Sequence, residues 1–396
     1  MSSSQRLWTP TFVVLCLANI FSSLVFYLMA SATATLASRA FDATTAQGGL
    51  STGMFFIGAV LARITSGPTA ERFGLRRTLL VGEITYALTS AAYLIIGSLG
   101  ELIALRLLNG LAFGFVSTTL TSVALSKVPI RRRGEGTGWF TSGMALGTGL
   151  GPLISLNLLR VDGGERMVLL LTTFAGLIGL LLVLSVYTKL PGAIVHKPEL
   201  HQQAPSLVSR FVEPRVLPIA LVALLSATAF SLVLTYLNEF TTGTSLERAA
   251  GFYFLIYAAA MLFLRPPAGR LQDRLGNNVV MIPSLIALVS GITLTAIAET
   301  GGILLIGAAL LGFGYGTLIS SGQAMTLNMV DPTRATVAIA SFFLLVDLGT
   351  GLGPSILGGF VELVGFRGMF GIGSGLAGLG LVLYLVLAAV LRKRRA

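Results

Sequence analysis

The sequence predicts an all-α polytopic membrane protein, with twelve transmembrane helices in two pseudo-symmetric six-helix bundles. Three observations carry that prediction. The 396 residues are 54% hydrophobic and 11% charged, with a mean hydropathy of +0.86, where an average soluble domain is about 25% charged. Apolar runs of about 20 residues, the length that crosses hydrocarbon, recur twelve times. Finally, the heptapeptide LGTGLGP at Leu146 to Pro152 returns at Leu348 to Pro354, 348 − 146 = 202 positions later and close to half the chain.

The spans follow in order. The first, 8–30, contains the only cysteine, Cys16; it is too long for a removable leader and lacks a small-residue cleavage site, so an uncleaved helix is expected. Spans 48–66 and 78–98 flank a basic loop, and the second of them holds Glu83. Span 102–125 holds Arg106, span 137–159 the first heptapeptide, and span 167–188 is uncharged. The second half repeats the plan at 216–238, 249–264, 279–298, 303–327, 335–360 and 368–391. The expected division is an N-terminal bundle over 1–190, a central cytoplasmic loop over 191–214 and a C-terminal bundle over 215–396.

With the N-terminus inside, 21 of the 27 Lys and Arg fall on the inner side, including Arg63 and Arg265. Five fall outside (Arg39, Arg160, Arg166, Arg248, Arg367), and Arg106 alone remains within a span. That asymmetry predicts both termini in the cytoplasm, and the expected setting is a plasma membrane, the cytoplasmic membrane of a prokaryote. It also accounts for the net charge of +11: the charges orient the chain and meet anionic headgroups, so no nucleic acid is expected as a partner. The chain is expected to act as a monomer.

Enzyme signatures do not emerge. His196 and His201 lie five apart without the cysteine or carboxylate company of a metal site, so neither metal nor cofactor is expected. GFGYG at Gly312 to Gly316 sits mid-span and follows no strand; small residues that let helices approach in lipid explain it better. No ATP-binding loop or nucleophile elbow appears.

The 202-residue shift places Gly67, Glu71, Arg72 and Gly74 on Gly269, Asp273, Arg274 and Gly276, and Arg63 on Arg265. Each copy sets an acid and an arginine between two glycines on a turn at the membrane surface. The glycines permit close approach or positive φ, and the acid suits a neighbouring helix N-terminus or an arginine across the halves. Here the sequence resembles a major facilitator superfamily transporter over nearly its full length. GPTAERFGLRR resembles the family's signature loop, and GRLQDRLG resembles its second copy. The resemblance implies that Gly67, Glu71, Arg72, Gly74, Arg76 and Arg77, with Gly269, Asp273, Arg274 and Gly276, latch the cytoplasmic side in the outward-facing state. Glu71 replaces the usual aspartate, and Asn277 and Asn278 replace basic residues, so the second latch is expected to be the weaker. Glu135 in RRRGEG is the expected partner of Arg76 or Arg77.

Two further stretches extend the resemblance. LIALRLLNGLAFG resembles the family's pattern of a buried Arg three residues before a polar residue and Gly. A charge at mid-bilayer costs about 2.5 to 3.5 kcal/mol on insertion scales, so Arg106 is expected to face an aqueous cavity or an acid, with Asn109 and Phe113 on the same stripe. GWFTSGMALGTGLGP resembles the antiporter motif of the fifth helix, although Ser155 and Leu156 stand where two further glycines are usual. Its Gly147, Gly151 and Pro152, and Gly353 and Pro354 of the copy, read as gating residues that make a seam against a helix of the other half.

The copies differ in one informative place. Asp347 stands where the first copy has Ala145, and an intramembrane carboxylate is a functional candidate by default. Asp347, Glu83 and Arg106 are the candidates for proton coupling. Asn19, Ser23 and Tyr27 in span one, Tyr253 and Tyr257 in span eight, Tyr315 and Gln323 in span ten and Phe343 before Asp347 sketch a mostly apolar cavity with a few polar contacts. With Asn109, Phe113 and Asp347, they are the candidate substrate contacts. The expected function is export of a small organic compound by alternating access with proton antiport. The rivals are a proton-coupled uptake permease and a lipid flippase of the same fold, and a membrane receptor without transport.

Overall fold

The computed structural model describes residues 7–159, 161–190 and 211–393. Among these described residues twelve long α-helices follow one another: α1 (Pro10–Phe41), α2 (Thr45–Phe73), α3 (Leu75–Ala92), α4 (Leu99–Ser126), α5 (Arg133–Leu158), α6 (Gly164–Val186), α7 (Leu217–Thr241), α8 (Glu247–Leu275), α9 (Asn278–Ile297), α10 (Gly301–Asn328), α11 (Ala335–Leu357) and α12 (Val361–Lys393), the last interrupted at Gly365. Eleven are long and apolar enough to cross a membrane; α5 is the exception, its first half reading RGEGTGWFTSG. Their starts are written locally. Thr9, Ser98 and Thr300 accept a backbone N–H at the heads of α1, α4 and α10, and Thr44 with Gln47 forms a capping box on α2.

The signature stretches differ from the expected turns. α2 runs on to Phe73 and α8 to Leu275, so Gly67, Glu71 and Arg72, like Gly269, Asp273 and Arg274, are helical. Helices of 29 residues extend about 43 Å at 1.5 Å per residue and outrun a hydrocarbon core of about 30 Å. Each helix stops where Gly74 (φ 84°) and Gly276 (φ 91°) adopt the positive φ that glycine alone takes without strain.

Packing divides the chain into two compact units. The first comprises Met1–Pro129, Leu146–Pro214 and Val330–Ser341, and the second Ile130–Ala145, Arg215–Met329 and Phe342–Ala396. Each holds most of one sequence half and a short segment of the other: the second unit has the N-terminal half of α5, the first unit the N-terminal part of α11. Of the central loop expected at 191–214, residues 191–210 lie outside the described residues, and so do His196 and His201.

Glycine sets the helix spacing inside each unit, and the same register recurs. In the first unit a Cβ at Gly110 of α4 would run into the Phe55 carbonyl of α2; in the second, a Cβ at Gly312 of α10 would run into the Tyr257 carbonyl of α8. These pairs are related by the 202-residue shift. Gly314 takes the opposite side of α10, where a Cβ would stand 2.7 Å from the Ser284 carbonyl of α9. The GFGYG string therefore allows two neighbours to approach one helix.

Candidate functional site

The second signature copy makes a polar junction within the second unit. Asp273, near the end of α8, accepts the backbone N–H of Gly134 (2.8 Å) and of Glu135 (2.9 Å), two of the donors that a helix start leaves unsatisfied. The carboxylate thus caps α5 from another helix, where the macrodipole favours negative charge. Glu135 in turn pairs with Arg270 (2.8 Å) and Arg132 (2.6 Å) while itself buried. Burial alone would raise the Glu135 carboxyl, but hydrogen bonds and charge from Arg270 and Arg132 outweigh it and hold the group below its ordinary value. A Cβ on Gly134 would come 2.5 Å from the Gly269 carbonyl, and one on Gly138 would come 2.8 Å from that of Arg265. Backbone approach is what the first glycine of this copy provides.

Among the described residues the first copy makes no such junction. Glu71 is exposed and has no hydrogen bond or ion pair among the described residues. The glycine contact is also softer: a Cβ on Gly67 would meet the Val337 side chain at 2.6 Å, not backbone. Among the described residues the second copy is therefore the one with ion pairs and a helix cap, where the weaker latch was expected. Basic residues at 277 and 278 were not needed, because Asp273 takes backbone N–H groups and Arg270 supplies the cation one turn earlier. The pairing of Glu135 with Arg76 or Arg77 is likewise corrected. Arg76 lies over the Tyr187 ring at 4.7 Å, Arg77 is exposed, and Arg72 sits over Phe73.

The repeated heptapeptide is corrected as well. Gly147, Gly151 and Gly353, expected on that seam, face a helix of their own half. A Cβ at Gly147 would come 3.0 Å from Ser23, and one at Gly151 would come 2.5 Å from Tyr27, both on α1. In the copy, Gly349 and Gly353 meet Leu224, Thr228 and Ser231 of α7. Each heptapeptide seats a fifth or eleventh helix on the first helix of its own half, with Pro152 and Pro354 inside the helices. The cross-half approach belongs to Gly134 and Gly138, earlier in α5.

Among the described residues no acid pairs with Arg106. It is fully buried, with Nε toward the Ser51 carbonyl (3.4 Å), the guanidinium 4.6 Å from the Phe55 ring centroid, and the Tyr93 hydroxyl beside it. Asn109 spends its amide N–H groups on Thr89 (2.9 Å) and Ser90 (3.5 Å) of α3. Phe113 stacks on Phe26 at 5.2 Å and packs beside Phe55 and Tyr86. Asn19 is buried in α1, and Tyr27 is half-buried against the α5 glycines.

In the second unit, Tyr253 turns to Thr295 of α9 at 2.9 Å and is fully buried. Tyr257 and Tyr315 sandwich Phe230 of α7, with centroids at 5.3 and 4.2 Å. Gln323 is buried, and neither amide atom has a hydrogen-bond partner among the described residues. Phe343 packs edge-on against Phe342, and Asp347 is half-buried one turn further along α11.

Three residues escaped the sequence reading. Arg63 and Arg265, assigned there to the inner side, are among the largest fully buried side chains. Arg63 donates to Thr118 (2.6 Å) on α4, and Arg265 to the Thr141 carbonyl of α5. Their position four residues ahead of each first glycine was the available signal, since that spacing puts arginine and glycine on one helix face. Glu213 pairs with Arg334 (2.8 Å), and its N–H donates to Ser341 (2.9 Å), tying the chain ahead of α7 to the start of α11 within the first unit. No sequence signal marked it.

A family model described as the Major Facilitator Superfamily matches residues 15–254 and 219–396. Among characterised and catalogued chains, an uncharacterized MFS-type transporter of Methanocaldococcus jannaschii is 24% identical over 344 residues, covering 84% of this chain and 86% of that one. The multidrug resistance protein MdtG of Citrobacter koseri is 25% identical over 336 residues, 83% and 81% of the two chains. Of solved structures, the human organic anion transporter MFSD10 superposes with a TM-score of 0.78 at 18% identity over 95% of this chain and all of that one. The proton:xylose symporter XylE gives 0.75 at 13% identity over 94% of each. These structural likenesses speak to the fold.

Proposed function

Because the chain belongs to the Major Facilitator Superfamily and is a secondary transporter, we propose that it exports a small organic compound in exchange for protons. One observation carries the coupling: Asp347, a carboxylate midway along α11 where the first half has Ala145. It sits two residues before Gly349, whose close contact with α7 ties the acid to the packing of the second unit. A carboxylate so placed changes its proton affinity with its surroundings, which is what alternating access coupled to a proton requires.

The polar junction of Asp273, Glu135 and Arg270 supports the gating part of the reading, and the likeness to a multidrug resistance protein supports export. The aromatic pair around Phe230 and the polar Gln323 suit an amphipathic compound. Lipid bilayer, substrate and proton are the partners that this reading requires, with the chain working as a monomer, both termini cytoplasmic.

Inside-out vesicles carrying a proton gradient test the proposal. A panel of cationic, neutral and anionic compounds is scored for gradient dissipation through the parent chain and through Asp347→Asn. Dissipation by a compound through the parent and not the variant is the expected result. Equilibration of that compound without proton movement sinks the antiport reading, and accumulation against the expected direction favours uptake.

A further inference from the structure

Glu83 occupies a different place from the other candidate acids. It is 1% exposed on α3 and enclosed by α1 and α6 within the first unit. Ser22 of α1 donates to Oε1 at 3.4 Å, a long bond, and Oε2 has no hydrogen-bond partner among the described residues. On the α6 side stands Gly179, where even a Cβ would lie 3.5 Å from Oε2. Among the described residues no salt bridge reaches the carboxyl.

The groups around it are few. α1 offers the Ser22 hydroxyl and α6 offers Gly179, neither charged. On α3 itself Tyr86 is one turn away, its hydroxyl donating to the Ser22 carbonyl at 3.2 Å. Arg106 of α4, Tyr93 and Glu83 are all electrostatic neighbours of Tyr86. An ionised carboxylate with one long hydrogen bond and no cation is far more costly to bury than the neutral acid.

We propose that Glu83 is a proton-binding site enclosed within the first unit, holding its proton in this conformation and releasing it only when α1 and α6 part enough to admit water. Adjacent residues of α1 give that release a mechanical link. Ser22 touches Glu83, while Ser23 touches Gly147 of α5, so a shift of α5 along α1 bears on the acid. The inference rests on the transporter reading only for the proton's part in coupling; the protonated state stands by itself.

Infrared spectroscopy of the reconstituted protein, in the Asp347→Asn background to remove the other intramembrane acid, reads the site directly. A protonated-carboxyl C=O band that persists at neutral pH and disappears in Glu83→Gln is expected; identical spectra with and without Glu83→Gln overturn the proposal. Glu83→Gln keeps size and hydrogen bonding, and a monodisperse elution profile checks that it folds. With an active compound in hand, Glu83→Gln alone is expected to lose compound-driven proton flux. Retention of parental flux despite loss of the band removes Glu83 from coupling, whereas a band present with no flux in the parent points instead to failure of the antiport reading.

Discussion

At the scale of single residues, small side chains and charges here act through what stands opposite them. Gly151 and Gly359 show the difference. A Cβ at Gly151 would lie 2.5 Å from the Tyr27 Cβ, whereas at Gly359 nothing lies within 4 Å. Overpacking a tight contact costs about 1 to 3 kcal/mol. Gly151→Val is therefore expected to lower the thermal unfolding temperature in detergent by several degrees and Gly359→Ala to leave it unchanged. Equal effects would show that the α1–α5 contact yields freely. Arg106 teaches a related lesson: a buried guanidinium need not find a carboxylate when an aromatic face 4.6 Å away offers its negative quadrupole.

Among elements, the junction of α5 with α8 concentrates the polar interactions of the second unit. Capping by Asp273 is worth about 0.5 to 2 kcal/mol where such caps have been removed. Asp273→Ala should thus speed amide hydrogen exchange at Gly134 and Glu135 by about 2- to 30-fold, taking 1.4 kcal/mol as a factor of ten, while Glu71→Ala leaves exchange in α11 unaltered. The junction also has a pH sense. Because the Glu135 carboxyl is lowered in the assembled junction, its contribution is fully present above the ordinary carboxylate value and is lost as pH falls through the depressed one. Exchange at the start of α5 should therefore be slow at neutral pH, after correction for intrinsic rates, and rise on acidification, since burial raises the Asp273 carboxyl that caps α5 while Glu135 is held low. A rise between pH 6 and 8 would contradict the assignment.

For the whole molecule, the repeat gives each unit the same internal spacing while letting the two copies diverge at the charges. Phe55 opposite Gly110 and Tyr257 opposite Gly312 are one contact written twice, yet among the described residues only the second copy caps a helix, and only the second half carries Asp347. Topology is predicted at this scale too. With 21 of 27 basic residues on alternate loops, a reporter that fluoresces only in the cytoplasm should be bright when fused after Ala396 and dark when inserted in the loop between α1 and α2. Setting aside the buried Arg63 and Arg265 leaves 21 − 2 = 19 against five, so the asymmetry that predicts this orientation remains.

The sequence by itself determined the membrane setting, the number of helices, the two-fold plan and which helix faces are lined by glycine. Hydropathy over a span, a 202-residue register and glycine at helical spacing are properties of one chain segment or of its copy. It did not determine partners. That Glu135 meets Arg270 and not Arg76, that Gly147 meets Ser23 of its own half, that Asp273 caps α5 while Glu71 caps nothing, and that Arg63 and Arg265 lie inside helices all depend on the rotation of each helix about its axis and on which faces pack. Those choices are made by neighbours far away in sequence, so only the tertiary structure decided them.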